Sequence, residues 1–193
     1  MKIGIMGGTF NPIHNAHIYI ARSAKEQYEL DRIVFMQRGN PPHKKSVSDK
    51  KYRYVMTRLA VGNEFDVSDY EINKEEYSYT LNTLKYLHIA YPDDEIYFII
   101  GEDSLNDIFK WYKPQEIVKL CKLLVFPRVS LENTKKTAKA VMEKLDASIY
   151  VINSQIFDIS STKIRDMIKN GDDVQNLISK EVLEYINENE LYR

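Results

Sequence analysis

Two histidines three residues apart, His14 and His17, follow a glycine pair and a hydroxyl, Gly7-Gly8-Thr9, with a bend at Asn11-Pro12 in between. The apolar run before them (Ile3, Ile5, Met6) reads as a strand, and the residues after them open an amphipathic segment. Strand, tight loop and helix start is an arrangement suited to approaching phosphate. Gly7 and Gly8 can take positive φ and have no Cβ to hold an anion off the backbone. A helix N-terminus adds unpaired N–H groups and the positive end of its dipole. On a first helical turn the two imidazoles share a face, from which they can donate hydrogen bonds to oxygens where negative charge builds up. The alternative, half of a metal site, would need a third soft ligand nearby in the sequence, and none is there.

A second stretch suited to polyphosphate is Ile159-Ser160-Ser161-Thr162-Lys163-Ile164-Arg165. One hydroxyl before a helix is an ordinary N-cap. Three in succession, followed by two cations, can bind a further stretch of phosphate, with Arg165 gripping it in bidentate fashion. A third and weaker signal is Gly101-x-Asp103, directly after the apolar run Glu95–Ile100. Glycine lets a base or ribose approach the backbone there, and a carboxylate can accept from ribose hydroxyls. Neither G-x-G-x-x-G nor G-x-x-x-x-G-K-[ST] is present, which argues against a nicotinamide-dependent dehydrogenase and a P-loop kinase.

The elements that must position these residues alternate along the chain. Ile18, Ala21, Ala24 and Tyr28 form a helical stripe, and Arg32–Gln37 reads as a buried strand. Tyr52, Val55, Met56, Leu59 and Ala60 recur at helical spacing, and Phe65–Ile72 is a weak strand with its exit. Leu81, Leu84, Leu87 and Tyr91 are expected to face inward from a helix opened by Thr80. Glu95–Ile100 and Leu123–Phe126 read as strands, separated by a short helical piece near Trp111 and a helix begun by Pro114. Ala138, Val141, Met142 and Leu145 are the expected inner face of a helix, Ser148–Ile152 a last strand, and two helices close the chain. Such alternation means a parallel sheet with helices on both faces, whose ligands bind beyond the carboxyl ends of the strands where their order reverses. At 193 residues the expectation is one domain, 1–193, with the helices from about residue 160 completing the nucleotide site.

Composition narrows the classes further. With 27 basic and 28 acidic residues the net charge is −1, which does not favour a general nucleic-acid or membrane surface. Arg38, His43, Lys44 and Lys45 form a local basic cluster only. The single cysteine, Cys121, sits among apolar residues, reads as a buried structural thiol, and rules out an internal disulfide. No apolar run reaches the roughly 18 residues of a membrane span and no signal peptide is evident, so the expectation is a soluble cytoplasmic protein. Assembly as a homo-oligomer is compatible with the sequence.

GGTFNPIHNAH resembles the first signature of the HxGH nucleotidyltransferase superfamily, and ISSTKIR its second, in the same order and far apart. Asn11 stands where Asp is frequent in that family and Ala16 where Gly is usual. Pro41-Pro42-His43-Lys44, Ser78-Tyr79-Thr80 and Trp111 resemble features of its nicotinate-nucleotide adenylyltransferases, so the likeness covers nearly the whole chain. The resemblance implies a Rossmann-like doubly wound α/β fold and adenylyl transfer from ATP to nicotinate mononucleotide, releasing pyrophosphate and forming deamido-NAD. It implies catalytic roles for His14 and His17. ATP would be held by Gly7, Gly8, Thr9, Phe10, Gly101, Asp103, Ser160, Ser161, Thr162 and Arg165, and the acceptor by Lys44, Thr80 and Trp111. Mg²⁺ is expected to arrive with ATP, since it favours phosphate oxygens and water over an all-protein cage. The rivals are a sibling enzyme using nicotinamide mononucleotide, phosphopantetheine or a sugar-alcohol phosphate, a non-catalytic nucleotide sensor, and a nucleic-acid-binding protein. A sensor would bind ATP without releasing pyrophosphate, and a nucleic-acid binder would hold DNA at high salt.

Overall fold

The computed structural model describes residues 1–39, 48–74 and 79–193. Six strands form one parallel sheet: β1 (Lys2–Gly8), β2 (Arg32–Gln37), β3 (Asp66–Ser68), β4 (Glu95–Gly101), β5 (Lys122–Phe126) and β6 (Ile149–Val151), in the order β3-β2-β1-β4-β5-β6. The helices are α1 (Asn15–Gln27), α2 (Lys50–Val61), α3 (Thr80–Ala90), α4 (Glu102–Asn106), α5 (Pro114–Leu120), α6 (Leu131–Leu145), α7 (Ser161–Asn170) and α8 (Lys180–Glu188). This is the expected Rossmann-like architecture. β1 lies between β2 and β4, with Gly8 opposite Gln37 and Met6 opposite Ile99. The strand order reverses at the β1–β4 boundary, so the carboxyl ends of these two strands open onto one crevice.

The continuous apolar strands follow from burial on both faces. On one side Met6, Phe35, Ile99 and Leu124 pack with Ile18, Ala21 and Ala24 of α1, Met56 of α2, Ile164 of α7 and Val182 and Ile186 of α8. On the other, Ile3, Ile5, Phe98 and Val125 pack with Leu81, Leu84 and Leu87 of α3, Ile117 of α5 and Ala138 and Val141 of α6. Cys121 is buried beside α5, where desolvation pushes its thiol up to about 12. Among the described residues no helix is long and apolar enough to cross a membrane.

Three expectations are corrected. The inner face of α2 is not the apolar stripe from Tyr52 to Ala60. Arg53, Met56, Thr57 and Val61 are buried, whereas Tyr52 and Leu59 are exposed. The cause is polar pairing. Arg53 finds carbonyls from three loops, and the Thr57 hydroxyl donates to the Arg53 carbonyl at 2.8 Å. On α6, Met142 is exposed and Thr134 is buried instead, donating its hydroxyl to the Ser130 carbonyl at 2.9 Å.

The third correction concerns the glycines. Gly7 and Gly8 belong to β1 and neither has positive φ. The left-handed residue of the turn is Phe10, at φ 49°. Glycine is needed here for a different reason. A Cβ on Gly8 would stand 2.3 Å from the Phe10 ring, and one on Gly7 2.9 Å from that of Phe98.

Candidate active site

Seryl, histidyl and arginyl groups from both ends of the sequence meet beyond β1 and β4. His14 is the N-cap of α1 and His17 its third residue, which places both rings at the helix start. The rings stack with centroids 3.7 Å apart and 24° between planes. The His14 backbone N–H donates to His17 Nδ1 at 3.2 Å, so the His17 proton sits on Nε2. Phe10 is buried and makes a T-shaped ring contact with His17, 5.1 Å between centroids. Phe10 therefore braces a histidine rather than lining the cleft.

Burial, aided by the nearby Arg128 charge, pushes His14 down to about 3. Desolvation, then His14 and Arg128, holds His17 well below the usual imidazole range. Both are neutral donors near pH 7, as stacking at this distance requires, since two cations so close would repel. A consequence concerns acid stability. The unfolded chain takes up a proton at each imidazole near pH 6.5, whereas folded His14 does so only near 3. Stability is therefore complete above pH 6.5 and falls as pH drops through that window. Each histidine contributes a slope approaching about 1.4 kcal/mol per pH unit. Urea unfolding at pH 7, 6 and 5, above the carboxylate range, measures it, and a flat profile contradicts it.

The cleft is lined by Gly7 and Gly8 at the end of β1, by Thr9 after it, by His17 in the first turn of α1, by Gly101 at the end of β4 and by Asp103 in α4. Arg38, after β2, and Arg128, after β5, complete it. A smaller recess shares His17 and Arg128 with the cleft and extends past His14 to Ala16, Gln155 and Phe157. Ala16, where the resembled pattern has Gly, forms part of that wall.

Arg128 and Glu102 were not singled out from the sequence. The Glu102 carboxylate, buried in the first turn of α4, accepts the Arg128 N–H at 2.8 Å and the Val129 N–H at 3.3 Å, fixing the exit of β5. The Arg128 guanidinium then lies over the Phe126 ring at 4.9 Å, with Nε 3.3 Å from the Asp103 carboxylate. Asp103, expected at a ribose, is paired with this arginine here. Arg128 directly follows a strand near the switch point, which is the positional signal that could have found it. His14 Nδ1 is buried without a hydrogen-bond partner among the described residues, and Arg128 Nε makes only its 3.3 Å ion pair with Asp103. A buried polar atom at a cleft with no hydrogen-bond partner is suited to a polar ligand.

The second stretch folds against the first. The Ser161 hydroxyl donates to the Pro12 carbonyl at 2.8 Å, and Arg165 Nη1 donates to the Asn11 carbonyl at 2.8 Å. Asn11 and Pro12 immediately precede the histidine pair. The three hydroxyls differ in role: Ser160 caps α7 by accepting from the Lys163 N–H at 3.1 Å, Ser161 ties the loops, and Thr162 accepts from Arg165 Nη2 at 3.2 Å. Lys163 is committed to Asp158 at 2.7 Å. The start of α1 is also held from beyond α7, where the Asn15 N–H donates to the Leu177 carbonyl at 2.9 Å.

Of the expected acceptor residues, Thr80 begins α3. Trp111 makes a T-shaped contact, 6.5 Å between ring centroids, with Phe98, a residue that lines the cleft. Lys44, with Pro41, Pro42, His43 and Ser78, lies outside the described residues.

The cytidylyltransferase-like family model matches residues 5–167. A protein of Clostridium tetani named "probable nicotinate-nucleotide adenylyltransferase" is 40% identical, over 100% of this chain and 99% of the relative. One of Clostridium kluyveri with the same name is 41% identical over the full length of both. In fold, the nicotinic acid mononucleotide adenylyltransferase of Plasmodium falciparum, solved with NaAD, matches with a TM-score of 0.82 at 22% identity, covering 99% of this chain and 97% of that one. The chain belongs to the nicotinate-nucleotide adenylyltransferase family, among the cytidylyltransferase-like proteins.

Proposed function

We propose that the protein transfers the adenylyl group of ATP to nicotinate mononucleotide, giving deamido-NAD and pyrophosphate. The observation that carries this reading is the tie between the two separated motifs beside the histidine pair: Arg165 to Asn11 and Ser161 to Pro12, at the carboxyl ends of β1 and β4. An acceptor phosphate oxygen attacks the α-phosphorus of ATP in line. The bond from that phosphorus to the β-bridging oxygen breaks, and pyrophosphate leaves. No side-chain nucleophile is needed, because positioning and charge stabilisation suffice for such a transfer.

His17, with Nε2–H free to donate, and His14 stabilise charge at the α- and β-phosphates. Thr9 and the Gly7–Gly8 backbone hold phosphate, and Ser161, Thr162 and Arg165 receive the leaving pyrophosphate, with Ser160 setting the start of their helix. Gly101 and Asp103 take the ribose. Arg128 is placed to exchange Asp103 for phosphate. Lys44, Thr80 and Trp111 take the acceptor, the tryptophan offering a flat surface for the pyridine ring.

Among the described residues no group of three or more His, Cys, Asp or Glu side chains is arranged to hold a metal ion. The substrate is read as Mg·ATP because Mg²⁺ favours phosphate oxygens and water, on which the ion would be carried. The whole chain acts as one unit in this reading, with the segment from about residue 160 completing the nucleotide site.

Pyrophosphate release from ATP with nicotinate mononucleotide, its nicotinamide counterpart and phosphopantetheine in parallel tests the assignment. The acid form is expected to be preferred. A preference for the amide moves the protein to a sibling activity, and ATP binding without pyrophosphate release from any acceptor ends the enzymatic reading.

A further inference from the structure

Asn11 is buried, yet its side chain is shared by two hydroxyls from distant parts of the chain. Tyr192, beyond α8, donates to Asn11 Oδ1 at 2.8 Å, and the Ser48 hydroxyl donates to the same oxygen. The two hydroxyls are themselves 3.3 Å apart. The backbone carbonyl of this same Asn11 is the acceptor for Arg165. One residue therefore receives three elements, and it sits between Thr9 and the histidines.

The segment carrying Tyr192 is held for this contact. Leu191 returns an N–H to the Ile186 carbonyl at 3.0 Å, and Glu190 and Tyr192 take left-handed backbone at φ 50° and 67°. Such conformations are unfavourable for non-glycine residues and persist where surrounding contacts over-determine them. Leu191 and Tyr192 pack on the core cluster to which α1, α2, α7 and α8 contribute, and burial pushes the phenol up from its ordinary value, so it stays a protonated donor.

We propose that Tyr192 is a positioning residue: its hydroxyl, with that of Ser48, fixes Asn11 and so sets the registration of the Thr9–Pro12 loop against Arg165. The inference rests on the reading of this cleft as the ATP site. Among the described residues, neither Thr80 nor Trp111 is hydrogen-bonded to Tyr192, Ser48 or Asn11.

Tyr192→Phe keeps the ring and removes only the hydroxyl. The variant is expected to bind ATP about three- to tenfold more weakly, the size of one lost hydrogen bond. Its KM for nicotinate mononucleotide should stay within about twofold of the parent, and its melting temperature within a few degrees. Combining Tyr192→Phe with Ser48→Ala should cost less than the two separate effects added, because both serve one oxygen. ATP affinity is read by direct binding, so the latch remains testable if the parent protein releases no pyrophosphate, which would instead count against the assigned reaction. Unchanged ATP affinity in Tyr192→Phe overturns the proposal. So does an equal loss toward both substrates with a lowered melting temperature, which would mark the residue as structural only.

Discussion

His17→Ala is expected to lower kcat by about 10²- to 10³-fold while leaving the protein folded, the cost of removing one preorganised donor from a site of developing charge. Preorganisation here has identifiable parts. The Phe10 ring in a T-shaped contact and the stacked His14 ring hold the His17 ring, and the His14 N–H fixes its tautomer. Desolvation keeps it neutral, so Nε2–H needs no deprotonation or reorientation when charge gathers on phosphate oxygens. Because the donor acts most strongly on the transition state, the loss should fall on kcat and kcat/KM together, with ATP affinity changing less. His17→Asn, which offers an N–H of shorter reach, should recover part of the rate. Single-turnover measurement with saturating Mg·ATP and nicotinate mononucleotide reads the chemical step directly. A rate within threefold of the parent removes His17 from the reaction. The pH profile adds a check of different kind. Two imidazoles held neutral predict no rate transition near 6.5 from either in the free enzyme, in contrast to a general-base histidine.

The parts of this site that were legible in the sequence are those built from local spacing. His14 and His17 fall on one helical turn, and Ser160 to Arg165 span the start of another, so their grouping needs no knowledge of the fold. The strands were legible for a similar reason: Arg32–Gln37 and Glu95–Ile100 are continuous apolar runs, as strands covered on both faces must be. What the sequence did not reveal depends on contacts between elements. Glu102 and Arg128 become partners only because β4 and β5 end side by side. The glycine pair lies at the end of β1 rather than in the loop after it, and glycine is required there by ring contacts to Phe98 and Phe10, which cannot be inferred from local conformational preference. The pairing of Asp103 with Arg128 is hidden for the same reason, since the two meet only across neighbouring strand ends. Arg53 was passed over altogether, because a helical arginine flanked by tyrosines looks solvent-facing.

Arg53→Met is expected to be the most destabilising of the substitutions considered, costing about 3–5 kcal/mol in urea unfolding, as when one side of a buried charged network is removed. The side chain is 2% exposed. Its Nε donates to the Ser48 carbonyl at 3.0 Å, Nη1 to those of Thr9 at 2.7 Å and Arg38 at 2.9 Å, and Nη2 to that of Gly39 at 3.1 Å. All four acceptors are neutral carbonyls, so the charge is spread over dipoles rather than paired with an acid among these contacts. Methionine fills much of the volume but leaves the carbonyls without their donor, and each unsatisfied buried group costs about 1–3 kcal/mol unless water reaches it. Arg53→Lys keeps the charge but not the planar fork, so one ammonium cannot serve carbonyls spread around the guanidinium. It should fall between the parent and the methionine variant. The same four bonds have a functional side. Gly39 and Ser48 flank the segment that contains Lys44, and Thr9 belongs to the proposed phosphate loop, so a single guanidinium ties the ends of the acceptor segment to the ATP side. Loss of Arg53 should therefore raise the KM for both substrates, unlike Tyr192→Phe, which is expected to affect ATP alone. An Arg53→Met variant as stable as the parent would mean that these loops hold their positions without the guanidinium.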